Sequence, residues 1–247
     1  MSIKSEKTPS NLSFNLNKNN QIEAKVSQNG TYKTELSNGK IWDFTVKNLP
    51  EAQILTGSWQ VQFKKVLDYS GTFTFDKLTD WKDHANDTIK HYAGTATYTQ
   101  TFDFNKKLMD KNTSVTLDLG KVSIAAEVIL NGKNLGIFWK TPFTLNVTDA
   151  LQNGKNTLEI QVTNLWTNRL IGDERYPPND KYNLDTVGNG NFTTKIMPDW
   201  YIQNQPRPSG ERKTFTTANF YKASDSLISS GLLGDVALRF SRVLVRE

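Results

Sequence analysis

Acidic residues in the last third of the chain are the groups closest to hydrolytic chemistry. Hydrolysis by paired carboxyl groups needs an acid and a base or nucleophile that face each other across the bond to be cleaved. Asp173 and Glu174 are adjacent in sequence, and neighbouring side chains tend to point apart, so they make a poor acid and nucleophile pair. Asp199, Glu211 and Asp225 are the other candidates. Nothing in their spacing indicates a paired geometry or a raised pKa, so we assign no catalytic residue.

Aromatic and polar side chains of the same region could bind a sugar. A ring can lie against the apolar face of a sugar while Asn, Asp and Arg bind its hydroxyls. We predict that seven such residues bind carbohydrate or dock another domain: Trp166, Asn168, Arg169, Asp173, Trp200, Tyr201 and Arg207. The alternative is structural, with Trp166 at the rim of a core and Arg169 paired to Asp173 to order a loop. For Trp139, in a strand-like stretch, a core or rim position is favoured.

Metal-binding patterns are weak. Zero cysteines exclude disulfides, zinc–thiolate sites and thiol nucleophiles. His84 and His91 are seven residues apart with no third ligand in view. Four acidic residues cluster near one predicted loop, but their spacing does not match an EF-hand and a solvated loop is expected. They are Asp76, Asp80, Asp83 and Asp87. The sequence therefore predicts no metal site.

Composition bounds the class of protein. The chain has 247 residues, of which 36% are hydrophobic and 22% charged, as in ordinary globular proteins. The net charge is +5, but Lys and Arg are scattered, and no basic stripe or recognisable module supports nucleic-acid binding. No apolar run is long enough to span a membrane. Met1–Ser10 has no apolar core or cleavage site, so no secretory signal is predicted.

Short alternating segments are the elements that must position these side chains. Apolar and polar residues alternate with the period of two that is typical of half-buried strands. Strands are predicted at 21–26, 31–36, 41–46, 59–66, 95–104, 114–119, 127–130, 143–147, 157–162 and 234–245. Asn-Gly pairs at residues 29, 38, 131 and 153 indicate tight turns between them. The only helical candidate is one turn at Thr148–Gln152, which excludes a parallel α/β fold and favours an all-β chain.

The pattern divides the chain into two predicted domains. Residues 1–50 read as a few strands of a preceding, incomplete β-domain, followed by a linker at Asn48–Pro50. Residues 51–247 supply enough strands to close a two-sheet jelly-roll β-sandwich. Within it, residues 164–230 lack sustained periodicity and contain five of the chain's eight prolines. Their many aromatic residues argue against disorder, so we expect an ordered long loop packed on something.

Three passages resemble a known family: Gly94–Phe102, Val128–Phe143 and Asn156–Asp173, which ends in Asn-Arg-Leu-Ile-Gly-Asp and is followed by Tyr176-Pro177-Pro178. They are similar to the galactose-binding-like β-sandwich at the C-terminal end of large glycoside hydrolases, above all the family 106 α-L-rhamnosidases. The resemblance covers roughly residues 50 to 245. It implies a jelly roll that supports a catalytic (β/α)-barrel, which alone takes about 250 residues and alternates strands with helices, so it is not encoded here.

Three functional hypotheses follow. The first is a non-catalytic module of an α-L-rhamnosidase-like enzyme, with the barrel as partner and carbohydrate, including rhamnose-containing carbohydrate, as a further contact. The second is a free-standing carbohydrate-binding module, and the third is a glycosidase that uses loop carboxylates, so enzyme activity stays open. The resemblance also implies that calcium occurs in jelly rolls of this kind and that the parent is periplasmic or extracellular. No cofactor enters the leading hypothesis.

Overall fold

The computed structural model describes residues 11–36, 38–67, 69–177, 184–187, 191–194, 197–218 and 220–246. Met1–Ser10 and Pro178, which belong to the predictions above, lie outside these ranges. The strands of the first half are β1 (Leu12–Leu16), β2 (Ile22–Val26), β3 (Gly30–Glu35), β4 (Ile41–Val46), β5 (Gln53–Ile54), β6 (Trp59–Val66), β7 (Tyr69–Phe75), β8 (Thr95–Phe104) and β9 (Thr113–Asp118). Those of the second half are β10 (Val122–Ser123), β11 (Ala125–Leu130), β12 (Lys133–Phe138), β13 (Thr144–Asn146), β14 (Gly154–Thr163), β15 (Leu184–Val187), β16 (Asn191–Thr194), β17 (Gly231–Leu232) and β18 (Ala237–Val245).

Helices are few and short. They are α1 (Asp87–Lys90), α2 (Thr167–Asp173) and α3 (Asp199–Ile202), with 3-10 turns at Trp81–Asp83 and Lys106–Leu108. In the part of the chain that the structure describes, no helix has the length and apolar character needed to cross a membrane.

Two antiparallel sheets pack face to face. One has the order β1-β2-β18-β9-β13, with β5 added to β18, and the other has the order β12-β11-β14-β8-β6-β7. Small two-stranded pairs form from β3 with β4, β10 with β17, and β15 with β16. Alternation sets the inner faces: in β11, Ala126, Val128 and Leu130 are buried while the residues between them are half-exposed. The all-β jelly-roll prediction is confirmed.

Aromatic side chains fill the space between the sheets. Trp59, Phe63, Trp81 and Tyr98 are each at most 2% exposed. The Phe63 ring lies edge-on to Trp81, with centroids 5.2 Å apart. Large rings bury much apolar area per residue and favour such edge contacts. Trp81 and Tyr98 of this cluster lie beside Ser230 and Gly231, where the chain returns to the sandwich.

Residues 11–49 extend the same structure. Strand β2 pairs with β18, with Ala24 opposite Leu244. Val26, Val46 and Leu49 join the core cluster of the sandwich. Strand pairing therefore continues across the predicted linker, and the division of the chain at residue 50 stays a prediction.

The helix predicted at Thr148–Gln152 is wrong. The segment is a hydrogen-bonded turn closed by Leu151 N–H to the Val147 carbonyl at 3.1 Å. Instead of capping a helix, the Thr148 hydroxyl accepts a hydrogen bond from the Val115 amide at 2.9 Å. The Thr148 hydroxyl that would cap a helix is thus bonded to strand β9. Helices form elsewhere, including α2 and α3, which lie in the region where no regular structure was expected.

The chain returns to the sandwich through Ser230, which is 1% exposed. Its amide donates to Asp80 Oδ1 at 2.9 Å, and its carbonyl accepts from the Trp81 amide at 3.0 Å. Its hydroxyl lies 3.1 Å from Asn164 Nδ2. We call this group of bonds the Ser230 anchor. It ties the start and the end of the 164–230 segment to the same point on the core.

A glycine follows the anchor for a steric reason. Gly231 has φ +108°, and a Cβ there would lie 2.6 Å from Trp81 Nε1 and 2.9 Å from Tyr98 Oη. The Trp81 Nε1–H itself donates to Tyr98 Oη at 2.6 Å. Only glycine lets the returning chain approach this buried pair so closely.

Candidate functional site

Helix α2 carries three of the seven predicted site residues, Asn168, Arg169 and Asp173, and a fourth, Trp166, directly precedes it. Its buried face consists of Asn168, Ile171, Gly172 and Asp173. Two of these are polar, so the helix is held by side-chain hydrogen bonds in addition to apolar packing. A helix of seven residues that contains a glycine, Gly172, has little intrinsic helicity, which makes those tertiary bonds decisive.

Asn168 belongs to the Ser230 anchor. Its Nδ2 donates to the Ile228 carbonyl at 2.7 Å, and its Oδ1 accepts from the Ile228 amide at 2.8 Å. Nδ2 also lies 3.4 Å from Ser230 Oγ. The side chain is fully buried. Its hydrogen-bonding groups therefore serve the returning chain and not a ligand.

Asp173 forms a second attachment, which we call the Asp173 anchor. Its side chain is fully buried, and Oδ1 accepts from Arg169 Nη2 at 2.6 Å. Oδ2 accepts from the Lys213 amide at 3.0 Å and from the Thr214 amide and hydroxyl, each at 2.6 Å. The predicted structural pairing of Arg169 with Asp173 is confirmed. These bonds use both carboxylate oxygens.

Arg207 binds the same strip of backbone from its carbonyl side. Nη1 donates to the Lys213 carbonyl at 2.5 Å and Nη2 to the Thr214 carbonyl at 2.8 Å. A carboxylate on the amides and a guanidinium on the carbonyls together fix residues 213–214. Arg207 also lies 6.0 Å from the centroid of the Trp200 ring, within cation–π range.

The aromatic site candidates are separated into two places. Trp200, half-buried, packs edge-on against Phe215 with centroids 5.6 Å apart. Tyr201 lies beside it and is 57% exposed. Trp166 precedes α2 at its N-terminal end and is 48% exposed. The structure thus brings Arg169, Asp173, Arg207 and Trp200 together around residues 213–214, and it leaves Trp166 at the opposite end of α2.

A cleft of about 290 Å³ opens beside α1 and α2. Arg175 joins the two helices through paired bonds to Asp87, at 3.1 and 2.7 Å. These bonds lower the pKa of the Asp87 carboxyl and raise the pKa of Arg175. Arg169 and Arg175 line the cleft, and each is neutralised by a carboxylate. The cleft therefore does not present two unpaired arginines to an anion.

His91 forms part of the same wall. Its ring is almost fully buried, and burial lowers its pKa, so it is neutral at pH 7. A Cβ on Gly172 would lie 2.6 Å from the ring, so glycine lets α2 lie directly on it. Burial also raises the pKa of Tyr92, another residue of this wall, to about 12. The tyrosine stays protonated and cannot act as a base at neutral pH.

Two of the other acidic candidates, Glu174 and Asp225, have partners of their own. Glu174 is paired with Arg212, and Asp225 accepts from the Lys222 amide at 2.8 Å. In the ranges described, no three His, Asp or Glu side chains are grouped so that they could hold a metal ion. Asp76 accepts from Ser58, Asp83 binds Lys82 and Asp87 binds Arg175. The expectation that calcium is bound is not tied to any group of side chains in the described ranges, and it stays a prediction.

Sequence reasoning missed the contribution of α1 and left the position of Trp139 open between core and rim. Asp87, His91 and Arg175 meet across 84 to 88 residues of chain, and no local spacing signals such a meeting. Trp139 lies just past β12 and is 73% exposed, so of these two positions the core is excluded. Phe138 takes the inner side of the strand, pairing with buried Ala126, and alternation turns Trp139 outward.

Comparison with known proteins gives a family and two relatives. The model of the glycosyl hydrolase 2 galactose-binding domain-like family matches residues 42–204. A protein of Formosa agariphila named as a β-glucuronidase is 44% identical over 209 residues, which cover 85% of this chain and 17% of that protein. The structure of a rhamnosidase from Novosphingobium sp. PP1Y matches with a TM-score of 0.60 and 24% identity, over 90% of this chain and 21% of that one. The chain thus spans about a fifth of their length or less.

Replacing Asp173 by asparagine tests the Asp173 anchor. Asp173→Asn leaves the Arg169 guanidinium buried without its charge partner, so the free energy of unfolding should fall by about 3 kcal/mol. Asp225→Asn is the matched control, because its exposed carboxyl accepts a single backbone hydrogen bond that an amide can also accept. It should change the free energy by less than about 0.5 kcal/mol. Urea unfolding measures both, and equal midpoints for the two variants would refute a structural role for Asp173.

Proposed function

The chain belongs to the glycosyl hydrolase 2 galactose-binding domain-like family, and from this premise we propose that it is a non-catalytic β-sandwich module of a larger glycoside hydrolase. The catalytic domain of that parent is its partner. The observation that carries the proposal is the engagement of the two adjacent candidate carboxylates at the end of α2. Asp173 is buried under hydrogen bonds and Glu174 is paired with Arg212, so neither is free to act as acid or nucleophile.

The share of each relative that the chain covers supports the same proposal. The segment similar to this chain is 17% of the Formosa protein and 21% of the Novosphingobium rhamnosidase. Most of each relative therefore lies in other domains. Under this proposal the module stabilises the catalytic domain, and the chemistry belongs to the remainder of the parent.

The sugar acted on by the parent is a finer proposal. The relative named as a β-glucuronidase is 44% identical, which favours a parent of the glucuronidase type. The family 106 α-L-rhamnosidase suggested by the Asn156–Asp173 passage is the alternative parent. Its support is weaker, because likeness to the rhamnosidase structure at 24% identity speaks for the fold alone.

Direct contact with carbohydrate is a second candidate function. It is favoured by the exposure of Trp166 and Tyr201, whose rings could stack on a sugar. Of the predicted polar partners, Asn168, Asp173 and Arg207 are used internally, so any contact would depend on the rings. Calorimetric titration of the chain with glucuronate- and rhamnose-containing oligosaccharides tests this function. Saturable heat that Trp166→Ala or Tyr201→Ala removes is expected if it is correct, and absence of heat at millimolar ligand rejects it.

A chimera of the Formosa relative tests the leading proposal. Its matching 209-residue segment is replaced by this chain in one protein and deleted in another. We expect the chimera to hydrolyse an aryl β-glucuronide, and the deletion to lose thermal stability and turnover because its catalytic domain lacks a packing partner. The 247-residue chain alone should turn over no aryl glycoside. Turnover by the isolated chain that Asp173→Asn abolishes would contradict the proposal.

A further inference from the structure

Five exposed apolar side chains gather at one end of the second sheet. Alongside Trp139, Ile137 is 66% exposed, and the others lie between 43% and 48%. The set, which we call the end face, consists of Ile124, Ile137, Trp139, Leu165 and Trp166. Burial of apolar side chains away from water is favourable, so a group of exposed ones at one place marks a contact surface.

Strand register places these residues together. Ala126 pairs with Phe138, and Ala125 pairs with Thr163. The start of β11, the end of β12 and the end of β14 therefore meet at the same end of the sheet. Ile124 directly precedes β11, Trp139 directly follows β12, and Leu165 lies two residues beyond β14.

The end face is held by the core and is not a loose loop. Ser123, next to Ile124, donates its hydroxyl to the Ser229 carbonyl at 2.7 Å. Asn164, next to Leu165, bonds Gly94 through both backbone and side chain, at 3.2 and 2.9 Å. Hydrogen bonds at or beside the Ser230 anchor thus hold the segments around Ile124 and Leu165 in place. A preorganised apolar surface binds with less loss of conformational entropy.

The chemistry of the end face favours protein over sugar. Three of the five side chains are aliphatic, and aliphatic groups offer nothing to sugar hydroxyls. The segments 122–126, 135–139 and 164–167 contain no charged residue, and Glu127, opposite Ile137, and Lys140, after Trp139, lie at their border. Charge depletion combined with exposed tryptophan is typical of the centre of a protein interface.

We propose that the end face is the surface on which the catalytic domain of the parent glycoside hydrolase docks. This inference rests on the proposed function, and it assigns the contact to the sheet end instead of to the polar residues of the 164–230 segment. The relatives supply the occupant, because they carry several times more chain than the part that matches here. Docking there would place the interface beside the Ser230 anchor, where the scaffold is most tightly bonded.

Hydroxyl-radical footprinting compares side-chain accessibility in the isolated 247-residue chain and in the active Formosa chimera. We expect Trp139 and Trp166 to be oxidised several times more slowly in the chimera. Leu108 is the internal reference, because it is 43% exposed near the opposite end of the same sheet and should react equally in both proteins. Equal oxidation of Trp139 in the two proteins would overturn the docking surface while leaving the proposed function intact.

Two further results would also overturn it. Protection of Trp139 in the isolated chain that grows with protein concentration would assign the end face to a second copy. Protection that needs added oligosaccharide would assign it to sugar. A variant pair gives an independent check: in the active chimera, Trp139→Ser should lower the melting temperature and Leu108→Ser should not. A chimera no more active or stable than the deletion, with Trp139 unprotected, would reject the proposed function together with the docking surface.

Discussion

The Ser230 anchor is the constraint on which the described structure of the 164–230 segment depends. Asn164 and Ser230 are 66 positions apart in the sequence, yet their side chains are joined by a hydrogen bond. Closing so long a loop costs entropy, and the polar groups at its closure are buried. Each must therefore be bonded, and Asp80, Trp81, Asn164 and Asn168 supply the partners.

Helix α2 transmits that constraint to the rest of the segment. Asn168 at its start belongs to the Ser230 anchor, and Asp173 at its end belongs to the Asp173 anchor. Seven residues thus connect the sandwich to residues 213–214, with Arg207 binding those residues from the other side. The polar side chains that were predicted to bind sugar hydroxyls are instead hydrogen-bonded to other parts of the chain. The apolar end face takes no part in either anchor, and it is the surface on which we propose that the catalytic domain docks.

The sequence predicted the sheets better than the site. Strands β4, β6 and β8 coincide with the predicted segments because alternation of apolar residues reports burial on one face. The edge strands β1 and β7 were missed because β1 has only five residues and Gly71 interrupts the apolar alternation of β7. Helix α2 was missed because its polar buried face has no helical apolar stripe. The position of Trp139 was left open between core and rim because Ile137, Phe138 and Trp139 are consecutive apolar residues, and period-two reasoning cannot decide which of them points inward.

Native-state hydrogen exchange of the Asn168→Ala variant is the most direct test of this account. Asn168→Ala removes the side-chain bonds to Ile228 and Ser230 and keeps the sandwich strands intact. The account predicts that amides at 213–214 and 228–232 lose protection while those of β8 and β14 keep it. Asn38→Ala, in an exposed turn, is the control and should leave all of these amides unchanged. Unaltered protection at 228–232 in Asn168→Ala would contradict the central role of the Ser230 anchor.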